Sequence, residues 1–115
     1  MRVAMIDFDG TITQENLFPN IGAPRENVFK AINTLQERGW ICCLWTCRTG
    51  DTLEAAKNYL EENGVKMDYY NASPYDKQSH AGRKPIADIY IDDASYPTII
   101  SPRTIIDWNR IVMEL

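Results

Sequence analysis

Short apolar runs alternating with amphipathic stretches predict an α/β domain built on a parallel sheet. Val3–Ile6 and Trp40–Trp45 are continuously apolar, the pattern of strands covered on both faces, and Ala87–Ile91 reads as another strand. Val28, Ala31, Ile32 and Leu35 recur at helical spacing between the first two runs, and Leu53, Ala56 and Leu60 do so after the second. Strand, helix and strand in succession imply right-handed crossovers and therefore parallel pairing.

Each element has its own signals. The first strand ends at Asp7-Phe8-Asp9-Gly10-Thr11, and Thr11–Ala23, with Pro19, Asn20 and Gly22, reads as loop. Pro24 suits the first turn of a helix, and Gly39 suits its stop. Asp51 followed by Glu54 resembles an acidic capping box for the second helix, which Gly64 ends. Val65–Tyr70 is a weaker strand, interrupted by Lys66 and Asp68 and so suited to a sheet edge. Asn71–Pro85 is a polar loop carrying Lys77, His80, Arg83 and Lys84. Ala87–Ile91 ends at Asp92-Asp93, and Thr98–Ile100 is a candidate last strand. Asp107 is placed to cap a terminal helix whose buried side is Trp108, Ile111, Val112 and Leu115. Trp40, Trp45 and Trp108 lie in apolar patterns and read as core.

The 115 residues suffice for one domain, 1–115, with no repeat and no low-complexity segment. A net charge of −4 argues against a basic footprint for long nucleic acid. Cys42, Cys43 and Cys47 match neither a disulfide framework nor a zinc pattern, and read as thiols in a reducing compartment. No signal peptide or membrane span is visible, which leads to the expectation of a cytoplasmic protein without a membrane partner.

The chemistry concentrates at strand ends. Asp7 and Asp9 lie two residues apart after a buried strand, where acids are costly unless a cation or a reaction needs them. Gly10 permits a turn that brings the backbone close. Thr46–Asp51 and Asp92-Asp93 are polar clusters that follow other strands. In a parallel sheet, ligands bind at the carboxyl ends of the strands, so the three clusters should converge on one crevice. Oxygen ligands there suit a hard divalent cation, with one carboxylate left as a nucleophile. The bland rival is that these acids merely cap helices or form strand-end turns.

At these residues the chain resembles the haloacid dehalogenase-like superfamily, mostly Mg²⁺-dependent phosphatases, over nearly its whole length. Asp7, Asp9 and Thr11 match the Asp-x-Asp-x-Thr signature, Thr46 the hydroxyl ending the next strand, Lys84 the upstream lysine, and Asp92-Asp93 the final acidic doublet. The resemblance implies a three-layer Rossmann-like domain with a parallel sheet of about five strands, the first of them central. It implies Asp7 as nucleophile forming an aspartyl-phosphate, and Asp9 as general acid and base oriented by Thr11. Thr46 and Lys84 would bind the phosphoryl group, with Lys77 as a rival to Lys84. Mg²⁺ would be held by Asp7, the Asp9 carbonyl and the doublet, with Asp93 favoured over Asp92. Gly10, Thr11, Cys47 and Arg48 are candidate substrate contacts, though Arg48 reads equally well as a solvated surface residue.

The chain departs from many relatives in having no segment long enough for a cap domain, and no further acid in Ala94-Ser95-Tyr96-Pro97. An open site calls for a bulky substrate, a second subunit such as a homo-oligomer would give, or the Asn71–Lys84 loop to limit water. The implied function is hydrolysis of a phosphomonoester on a small molecule or macromolecule. The alternatives are transfer to another acceptor, dehalogenation, and a non-catalytic phosphate-binding or interaction module.

Overall fold

The computed structural model describes residues 1–75, 86–94 and 106–115. Among these the fold is α/β, with the order β1 (Arg2–Ile6), α1 (Val28–Glu37), β2 (Trp40–Leu44), α2 (Gly50–Glu62), β3 (Tyr69–Tyr70), β4 (Ile89–Ile91) and α3 (Trp108–Glu114). The strands form one sheet in the order β3-β2-β1-β4, and every pairing is parallel. β1 is central, as expected: Ala4 pairs with Cys42 on one side and with Ile89 on the other. The described sheet has four strands where about five were expected. The candidate strand Thr98–Ile100 lies outside the described residues.

Alternation along β1 divides the core. Ala4 and Ile6 face a large apolar cluster with Cys42 and Leu44, while Val3 and Met5 face a smaller one with Cys43. All three described helices pack on the first face, through Val28, Ala31, Ile32 and Leu35 of α1, Ala56 and Leu60 of α2, and Trp108 of α3. The described helices therefore make two layers with the sheet, not the three expected. Topology accounts for this. The chain steps from β1 to β2 to β3 in one direction, so right-handed crossovers place α1 and α2 on the same face. The return from β3 to β4 runs in the opposite direction. Tyr75 and Ala87, near the ends of that connection, pack on Val3, Met5 and Cys43 of the other face.

Local chemistry shifts several boundaries. Pro24 does not open α1. It forms a bridge with Thr13, and the helix starts at Val28 after Asn27, whose φ is 63°. The second helix is capped by Thr49 in place of Asp51: the Thr52 hydroxyl accepts from the Thr49 N–H at 3.2 Å and donates to its carbonyl at 2.8 Å. The edge strand is confined to Tyr69–Tyr70, because the Asp68 carboxylate takes the Cys42 N–H at 2.8 Å in place of a backbone acceptor. Asp107 caps α3, accepting from the Arg110 N–H at 3.2 Å. Trp40 and Trp108 are buried as expected, whereas Trp45 is 38% exposed at the carboxyl end of β2. No helix among the described residues is long and apolar enough to cross a membrane.

Candidate active site

Strand order reverses direction at β1, and the crevice beyond its carboxyl end is where this topology collects ligands. Ladder hydrogen bonds run past the strand ends into that crevice. The Asp7 N–H donates to the Ile91 carbonyl at 3.0 Å, and the Trp45 N–H donates to Ile6 at 2.8 Å. Asp7 is thus fixed beside the doublet that follows β4. Single carboxylate oxygens of Asp7, Asp92 and Asp93 all lie within 4.8 Å of one another.

The turn after Asp7 is wound tightly. The Phe8 carbonyl accepts from the N–H groups of Thr11, Ile12 and Thr13 at 3.2, 2.9 and 3.2 Å. Gly10 has a φ of +84°, and a Cβ there would sit 2.6 Å from Asp93 Oδ2. Only glycine allows both that backbone and that approach. The Arg25 side chain donates to the Gly10 carbonyl at 2.7 Å through Nη2.

The winding places Thr11 against the acids. Its Oγ1 lies 3.1 Å from Asp7 Oδ2 and 3.2 Å from Asp93 Oδ1, and it accepts from the Asp93 N–H at 3.0 Å. The expectation that Thr11 orients Asp9 is therefore corrected. Thr11 is wholly buried and its hydroxyl is committed to Asp7 and Asp93, which also removes it from the candidate substrate contacts. The Trp108 indole holds the same turn, with Nε1 donating to the Thr11 carbonyl at 2.9 Å.

Burial pushes the Asp7 carboxyl up to about 7, and the neighbouring charge of Asp92 adds to it. Hydrogen bonds from the Phe8 N–H and from Thr11 act the other way, and Asp93 raises it slightly further. Three acids with oxygens this close suit a hard divalent cation, which relieves their mutual repulsion.

Asp9 stands apart from this cluster. Both of its carboxylate oxygens are held by Arg48, through Nε and Nη2, each at 2.8 Å. Arg48 is 1% exposed, so neither a solvated surface arginine nor a substrate contact describes it. Its remaining donors reach the carbonyls of Pro19, Asn20 and Thr52 at 3.3, 2.9 and 3.3 Å. All five guanidinium N–H groups are thereby used.

Thr46 is half-buried at the mouth of β2, its N–H donating to Asn71 Oδ1 at 2.8 Å and its hydroxyl accepting from the Arg48 N–H at 3.2 Å. Asn71 also donates to the Arg48 carbonyl at 3.1 Å, with a φ of 51°. Cys47 is exposed, and Cys42 and Cys43 are buried. Lys77, His80, Arg83 and Lys84 lie outside the described residues. Sequence reasoning missed Asn71, Arg25 and the role of Trp108. Asn71 does follow a strand, like the other site residues, but β3 is too short to announce it. Arg25 and Trp108 carry no local signal, because their partners are distant in the chain.

No family model matches the chain, and no curated protein does. Among solved structures, a conserved protein of Bacteroides thetaiotaomicron superposes with a TM-score of 0.80 at 27% identity, over 96% of this chain and 85% of that one. A D,D-heptose 1,7-bisphosphate phosphatase of B. bronchiseptica, complexed with magnesium and phosphate, gives a TM-score of 0.48 at 22% identity over 61% of this chain and 48% of its own. That second likeness is too slight to carry an argument. The first supports the α/β fold across nearly the whole chain.

Proposed function

We propose that this chain is a Mg²⁺-dependent phosphohydrolase acting on phosphomonoesters through an aspartyl-phosphate at Asp7. The observation that carries the reading is the meeting of Asp7, Asp92 and Asp93 within 4.8 Å at the reversal point of a parallel sheet. The Asp7, Asp92 and Asp93 carboxylates fit a magnesium ion, and the Asp9 carbonyl and the preference for Asp93 as the direct ligand are assigned on the resemblance alone. Bound there, the ion would supply positive charge against the phosphoryl group and the carboxylates.

The protein's own groups account for the remaining steps. An oxygen of Asp7 forms a bond to phosphorus as the ester oxygen leaves, and Asp9 gives that oxygen its proton. Water then attacks phosphorus, Asp9 takes the water's proton, and the bond to Asp7 breaks to release phosphate. Thr46, fixed by Asn71, offers its hydroxyl to a phosphoryl oxygen. Lys84 is assigned the charge-balancing role on the resemblance alone.

The test is phosphate release from p-nitrophenyl phosphate and a panel of phosphorylated metabolites, with Mg²⁺ or with a chelator. The expected result is Mg²⁺-dependent release that Asp7→Asn abolishes while the variant stays folded. Undiminished hydrolysis by Asp7→Asn overturns the mechanism. Phosphate recovered on an acceptor other than water assigns the site to transfer instead.

A further inference from the structure

Resting on the phosphohydrolase reading, we propose that Arg48 is the positioning residue of the proton-transferring acid, a fixed clamp that sets the orientation of the Asp9 carboxylate. The two partners are unequally tied. Arg48 is 1% exposed, and three of its five N–H groups are bound to carbonyls of two separate segments, Pro19 and Asn20 in the first loop and Thr52 in α2. The rings of Phe8 and Phe18 each lie 5.2 Å from its Cζ. A guanidinium so buried is held where its donors are satisfied, since any displacement leaves desolvated N–H groups without acceptors. Asp9, 10% exposed, has Arg48 as its only side-chain partner among the described residues.

Each carboxylate oxygen has two lone pairs, and the fork takes one from each oxygen of Asp9. The remaining lone pair of either oxygen holds or takes the proton while both Arg48 contacts stay in place, so the acid is presented to the ester oxygen and the water in one fixed orientation. The proton passes from Asp9 to the leaving oxygen as its bond to phosphorus breaks, and an equivalent proton returns from the attacking water. Arg48 touches neither reacting atom, and its contribution is the orientation of the acid. A lysine has the charge without the planar fork and cannot supply that orientation.

Leaving groups separate this role from plain structural support. p-Nitrophenolate departs without a proton, whereas an alkoxide needs one. Arg48→Lys is expected to lower kcat/KM on an alkyl phosphate by about tenfold or more beyond its effect on p-nitrophenyl phosphate, a part of the roughly 10²–10⁴-fold that a positioned acid contributes. Asp9→Asn should show the same selectivity, and the double variant should fare no worse than Asp9→Asn alone. Circular dichroism and thermal unfolding check the fold. If Arg48→Lys does not fold, Phe18→Leu replaces it, because Phe18 is 54% exposed and its loss loosens the guanidinium from one side only. A smaller loss of the same selectivity is expected there. Equal losses on the two substrates, with Asp9→Asn still selective, overturn the proposal and leave the phosphohydrolase reading standing. No Mg²⁺-dependent phosphate release by the unaltered protein overturns both.

Discussion

Asp7 concentrates the electrostatic tension of the site in one carboxyl. Its ordinary value of 3.8 rises to about 7, first through burial and then through Asp92. The fold therefore favours the protonated form over the charged one. The stability this contributes is fully present below about 3.8 and is lost as pH rises through about 7. In metal-free buffer, Asp7→Asn, which cannot ionise, should unfold at a higher temperature than the unaltered protein at about pH 8. The difference should shrink toward about pH 4, where Asp7 is itself largely neutral. Thermal unfolding across that range checks this, and a gap that stays constant with pH would count against a raised Asp7. Arg48 and Asp9 present the opposite case at the same scale. Their charges are buried but matched, so removing one partner strands the other. Arg48→Met should cost about 3–5 kcal/mol in stability, read from denaturant unfolding.

The elements hold the site through a few tethers between distant parts of the chain. α3 contributes one of them, since Trp108 packs in the main core and its indole N–H reaches the Thr11 carbonyl. Trp40 is a natural control: it too is buried, yet among the described residues its Nε1 has no hydrogen-bond partner. Tryptophan to phenylalanine removes the same ring volume and the same N–H at either site, and at Trp40 it also weakens the stacking of Arg2, whose Cζ lies 4.7 Å from the ring, so an excess cost at Trp108 reports the hydrogen bond to Thr11. Trp108→Phe should be less stable than Trp40→Phe by about 1–3 kcal/mol, because it leaves a buried carbonyl without its donor. Denaturant midpoints give the comparison, and equal costs would show that α3 is held by packing alone. The Thr11 turn also carries the Asp7 and Asp93 contacts, so Trp108→Phe should weaken Mg²⁺ binding as well.

Across the whole molecule, the sheet order decides where chemistry can gather. β1 lies between β2 and β4, so the residues just beyond β1 and β4 are neighbours although more than eighty positions separate Asp7 from Asp93. A cation bound by those acids binds the folded chain and not the unfolded one. Mg²⁺ at about a hundredfold excess over its dissociation constant should therefore add about 2.7 kcal/mol to the free energy of unfolding. The stabilisation should disappear in Asp93→Asn, whose metal-free stability is the baseline from which the Mg²⁺ effect is read. Calorimetry with and without Mg²⁺ measures both. An unchanged Mg²⁺ effect in Asp93→Asn would place the ion elsewhere.

The sequence alone determined the fold class and the strand ends on which polar residues gather, while the central place of β1 was implied by the family resemblance. The first two follow from local periodicity: continuous apolar runs mark strands buried on both faces, and 3.6-residue spacing marks helix faces. The nearness of Asp7 to the doublet was also legible, because topology sends the carboxyl ends of parallel strands to one side. Tertiary structure alone decided which groups spend their hydrogen bonds on each other. Thr11 turns to Asp7 and Asp93 because the Phe8 carbonyl gathers three N–H groups and winds the turn. Arg48, which reads from the sequence equally as a substrate contact or a surface residue, is instead buried on Asp9 and three carbonyls, and Asp9 is drawn away from the other acids. No local pattern encodes these pairings, since each depends on satisfying a buried polar group with partners brought from elsewhere in the chain.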